Sequence, residues 1–72
     1  MNTEDIVARL GGQLRTAKIC GVDHRAVARW PQSGIPPWHW AAIVAYAERE
    51  HIPGVTYDSI QEARRLAREG AQ

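Results

Sequence analysis

A single cysteine, Cys20, leaves no internal disulfide to staple the fold and suits a reducing compartment. No apolar run is long enough to span a bilayer. The longest stretch free of Asp, Glu, Lys and Arg, residues 30–47, is interrupted by Pro31, Gln32, Ser33, Pro36, Pro37 and His39. The opening residues Met1-Asn2-Thr3-Glu4-Asp5 are acidic and polar, the reverse of a secretory signal. A cytoplasmic protein without a membrane partner is the expectation. Also missing are a Ser/His/Asp set, a carboxylate pair and a cluster of metal ligands, so neither enzyme chemistry nor a cofactor or metal is expected. At 72 residues the chain is read as one domain, with a modest core and little room for an active-site cleft.

Net charge is only +1, but its distribution is uneven. Residues 11–47 carry Arg15, Lys18, Arg25 and Arg29 against Asp23 alone, a surplus of three positive charges. The flanks 1–10 and 48–72 each hold one net negative charge. Basic charge gathered on one segment between acidic ends is the footprint of a nucleic-acid face.

Apolar spacing is helical throughout, and no stretch alternates as a strand would. A first helix is expected from Thr3 to Leu10, capped by Asn2 or Thr3 and buried through Ile6 and Leu10, with Gly11-Gly12 ending it. A second runs from Gln13 to Cys20, burying Leu14, Ala17 and part of Cys20. Gly21 turns the chain, and Asp23 caps a third helix from His24 that stops at Pro31. Pro37 opens a fourth helix through Glu50, with Trp40, Ile43, Val44 and Ala47 inward. Thr56 caps a fifth, on which Ile60, Ala63, Leu66 and Ala67 form the apolar side and Val55 staples to Ile60. Arg64, Arg65 and Arg68, interleaved with Glu62 and Glu69, read as a solvated outer face.

The stretch from Gln13 to Trp30 meets every demand of two helices crossing at a tight turn. Ala17 lets them approach, Gly21 supplies positive φ, and Cys20, Val22, Val27 and Trp30 fill the wedge between them. This run resembles the helix-turn-helix of the phage Cro and repressor proteins, with Gln13, Ala17, Gly21, Val27 and Trp30 at its characteristic places. Leu10-Gly11-Gly12-Gln13 before it and Trp30 with Gly34-Ile35-Pro36 after it are similar to small Cro-like prophage regulators of the YdaS type. The likeness covers about residues 4–50, with the motif itself at about 13–32. Pro31, directly after Trp30, departs from the pattern and counts against a base contact by Gln32.

The resemblance implies an all-α, compact five-helix Cro/repressor-like domain that reads duplex DNA with helix 24–30 in the major groove. His24, Arg25, Ala28 and Arg29 would then face the bases, with an arginine on guanine O6 and N7. Gln13, Arg15, Thr16 and Lys18 would hold phosphates. One short helix contacts few base pairs, so a homodimer is expected, with reading helices about 34 Å apart. Its joining surface would be the fifth helix and the end of the fourth, through Ile52, Tyr57, Ile60 and Leu66. Such a transcriptional regulator would repress by occupying a promoter or activate by touching RNA polymerase. The alternative is an antitoxin-type interaction module that neutralises a toxin and regulates its own synthesis. Trp30 and Trp40 are expected in the core, Trp38 partly exposed, and His39 solvated or beside a phosphate. Cys20 and His24, four apart, do not make half a metal site, because the helix breaks at Gly21 and no second pair exists.

Overall fold

The computed structural model describes residues 1–70, which form five α-helices and, among the described residues, no strand. The helices are α1 (Thr3–Arg9), α2 (Gln13–Cys20), α3 (His24–Ser33), α4 (Trp40–Arg49) and α5 (Tyr57–Gly70). A single 3-10 turn, Pro37–His39, leads into α4. No described helix is long and apolar enough to cross a membrane.

Short helices need their ends satisfied, and local chemistry does this repeatedly. The Asp5 amide donates to Asn2 Oδ1 at 2.9 Å while the Asn2 amide donates to Asp5 Oδ2 at 3.2 Å, a reciprocal box at the start of α1. Thr56 and Ser59 exchange the same pair of bonds ahead of α5, at 2.8 and 3.1 Å. Val55 and Ile60, flanking that cap, are both buried. Between α2 and α3, Gly21 is left-handed (φ 69, ψ 34), and Asp23 Oδ1 accepts the Arg25 amide at 2.8 Å.

The core joins all five helices. Ile6 of α1 and its C-cap Leu10, Ala17 of α2, Val27 and Trp30 of α3, Ile43, Val44 and Ala47 of α4, and Ile60 and Ala63 of α5 are buried together. The loop residue Ile35 joins them, and its carbonyl accepts the Trp40 indole N–H at 2.8 Å. Trp40 itself is only half-buried.

Several positions depart from the sequence-based expectation. Leu14 is 68% exposed, whereas Thr16 is fully buried. The Thr16 hydroxyl donates to the Gly12 carbonyl at 2.8 Å, which removes the cost of burying it and lets α2 turn Thr16 and Ala17 inward together. Leu66 is exposed and Ala67 half-buried, while Arg64 is half-buried rather than fully outward.

The helix α3 does not stop at Pro31 but carries it inside and continues to Ser33. Proline removes only one intrahelical bond there. The following turn is closed by the Gly34 amide on the Trp30 carbonyl at 2.6 Å, with the Ser33 hydroxyl 3.4 Å from the Arg29 carbonyl. Nor does α4 begin at Pro37. The residues Pro37–His39 take the tighter 3-10 form, and the α-helix starts at Trp40.

Gly34 has φ 86 and lies directly against α5. A Cβ placed there would sit 2.5 Å from Arg64 Cγ and 2.9 Å from Arg64 Cα. At Gly21 the same atom would meet nothing within 4 Å. Gly21→Ala is therefore expected to cost about 1–2 kcal/mol, the backbone term alone. Gly34→Ala should cost about 3 kcal/mol or more, because overpacking against backbone adds to the strain. Urea unfolding of the two variants checks this. Equal losses would mean that Gly34 and Arg64 are not in contact.

Candidate nucleic-acid interface

With Val27 and Trp30 1% and 4% exposed, the rotation of α3 about its own axis is fixed. Its opposite side presents His24, Arg25, Ala28 and Arg29, all exposed, as the sequence pattern predicts. Because α3 continues past Pro31, Gln32 joins this row, four residues after Ala28 and seven after Arg25. Ending the helix at Trp30 hides Gln32 from a sequence reading. The signal that could have found it is the helical spacing itself.

The first residues of α3 converge on one carboxylate. Asp23 Oδ1 accepts the Arg25 amide, lies 3.3 Å from Arg25 Nε and 3.5 Å from His24 Nδ1. The Arg25 amide, then its guanidinium, hold the Asp23 carboxyl below the usual carboxylate range. The pair is open to water, so it orients Arg25 without locking it.

The structure divides the four expected phosphate residues. Gln13, exposed at the start of α2, lines one groove with Ala28 and Gln32 and so belongs to the α3 face. Arg15 and Lys18 line a different groove, between α2 and α4, that contains no α3 residue. There Arg15 Nη1 donates to the Tyr46 hydroxyl at 2.9 Å, and Arg49 lies over the Tyr46 ring at 5.4 Å. Contrary to the expectation, Thr16 is buried with its hydroxyl committed to the Gly12 carbonyl, out of reach of a phosphate.

Of the aromatic residues, Trp38 is 78% exposed, and the His39 ring sits between Trp30 (5.5 Å) and Trp38 (6.0 Å). The expected joining surface for a dimer is not one patch. Ile60 is core, Ile52 packs partly against it, and Tyr57 and Leu66 project about 180° apart around α5.

Among the described residues no three His, Cys, Asp or Glu side chains come close enough to hold a metal ion. Burial pushes the Cys20 thiol up to about 11, so it stays protonated and unreactive at neutral pH. Compared with protein-family models, curated proteins and solved structures, the chain finds no match.

The raised thiol has a consequence for stability. The unfolded chain releases the Cys20 proton near pH 9, whereas the folded one holds it to about 11, so stability falls as pH rises through that window. In Cys20→Ala this part of the decline should vanish. Thermal melts at several values between pH 8 and 11 check it, and identical pH profiles for the two proteins would contradict it.

Proposed function

We propose that this protein is a sequence-specific duplex-DNA-binding transcriptional regulator of the Cro/repressor helix-turn-helix type, akin to small prophage regulators. The observation that carries the reading is the division of α3. Its Val27 and Trp30 side is buried, and its other side is a continuous exposed row of His24, Arg25, Ala28, Arg29 and Gln32. A helix so divided can enter the major groove, which admits a helix and displays a distinct donor and acceptor pattern for each base pair. Arg25 and Arg29 supply the fork that matches guanine, Gln32 the amide that matches adenine, and Ala28 a methyl for thymine. Gln13 lines one groove with Ala28, which supports its assignment to a phosphate next to the bases read. The left-handed Gly21 and the Asp23 cap set the crossing of α2 and α3 on which this presentation depends.

Selection of bound sequences from random duplex DNA tests the reading directly. On the selected site, Arg25→Ala or Arg29→Ala should each lose about 1–3 kcal/mol and relax preference at one position. Two copies on an inverted repeat, with reading helices about 34 Å apart, would double the contact. Sedimentation of the complex should then show two proteins per duplex. Unchanged affinity in both arginine variants would refute the groove assignment. One protein on a site without inverted symmetry would refute the dimer.

A further inference from the structure

Beyond the end of α3 lies a groove that the reading of α3 leaves unused. It is lined by Gln32 and Ser33, by the chain through Gly34, Pro36, Pro37 and Trp38, and by Arg64 and Arg68 of α5. None of these residues is acidic.

The arginines of α5 are not equivalent. Arg65 takes both neighbouring carboxylates. It bonds Glu62 through Nε at 3.1 Å and through Nη2, and Glu69 through Nη1 at 2.6 Å. Arg64 and Arg68, one turn apart on the adjoining strip of the helix, border the groove holding Asp58, Glu62 and Glu69 as well, but have no carboxylate within 4.0 Å among the described residues. Arg65 thus engages both carboxylates directly, whereas the guanidinium groups of Arg64 and Arg68 are left without an ion-pair partner and line the groove with Trp38.

We infer that this groove is a second binding site for the phosphodiester backbone of duplex DNA, next to the stretch read by α3. The inference rests on the DNA-binding reading above and extends it to residues outside the helix pair. Three observations select this occupant. Two guanidinium groups without an ion-pair partner complement an anion and can fork onto phosphate oxygens. The groove is continuous with the α3 face, because Gln32 lines both this groove and the one holding Ala28 and Gln13. Trp38 is the one exposed large apolar residue in it, since Met1, Leu14, Tyr57 and Leu66 all lie elsewhere. A flat ring with an N–H at its edge suits a deoxyribose and its phosphate, whereas an apolar protein surface would need more apolar neighbours. Arg64, Arg68 and Trp38 therefore position the duplex without reading its sequence.

The test uses the full chain with a selected duplex and an unrelated duplex, each titrated over a range of salt. Arg64→Gln keeps the carbons that pack on Gly34, and Arg68→Gln is exposed. Melting curves confirm that both variants and their combination are folded. Each substitution should lower the slope of log affinity against log salt by about 1, and should weaken both duplexes by the same factor. Trp38 emission should change when duplex is added, and the change should be absent in Trp38→Phe. A folded double variant with the wild-type slope would overturn this site while leaving the reading of α3 intact. A wild-type protein that binds neither duplex would overturn both. Wild-type protein binding polyglutamate as tightly as unrelated duplex at equal salt, with that binding lost in the double variant, would assign the groove to an acidic polypeptide instead.

Discussion

Burial of one side of α3 is the constraint on which the rest of this small domain depends. A helix is a cylinder, and which side chains it offers to solvent is decided only when something fixes its rotation. Here Val27 and Trp30 do so, held among residues from all the other helices. Trp30 alone contributes an area that about 3–5 kcal/mol of stability would follow if it were truncated, much of what a domain this size possesses. The exposed row on α3 is the complement of that burial. Stability and presentation are therefore one property viewed from opposite sides of the same helix.

The helix ends supply what a small core cannot. A 7-residue α1 and an 8-residue α2 are too short to persist by themselves. The boxes at Asn2 and Asp5 and at Thr56 and Ser59, and the Asp23 cap, satisfy amides that would otherwise face competition from water. They also fix where each helix begins, and hence the register of the side chains that follow.

Much of this is legible in the sequence, because it is local. The Asn2, Asp23 and Thr56 caps, the turn at Gly21 and the inward set Ile6, Leu10, Ala17, Val27, Ile43 and Ala47 follow from spacing and backbone chemistry. What is not legible depends on partners distant in the chain or on competing local bonds. Proline at position 31 reads as a stop, yet the turn after it is closed by an amide at Gly34, which is itself seated on Arg64 thirty residues later. Leu14 reads as core and Thr16 as polar, but a hydroxyl that bonds back to Gly12 can be buried at little cost, and that reverses the two. Ile35 lies in a loop, outside any periodicity, and is buried because it joins a core assembled from residues distant in the chain. At the site, Gln32 and the division of labour among the three arginines of α5 both needed the third dimension.

Contact without an intervening side chain makes a stiff joint. At Gly34 the backbone following α3 rests on the backbone and stem of Arg64, with no compressible group between them. The far end of α3 and the arginine row of α5 consequently meet with no room for a side chain to be inserted between them. Ordering costs for a ligand that touches both surfaces are met during folding rather than at the moment of association. Such rigidity favours a partner whose charges already repeat at the matching interval, and penalises one that would have to bend.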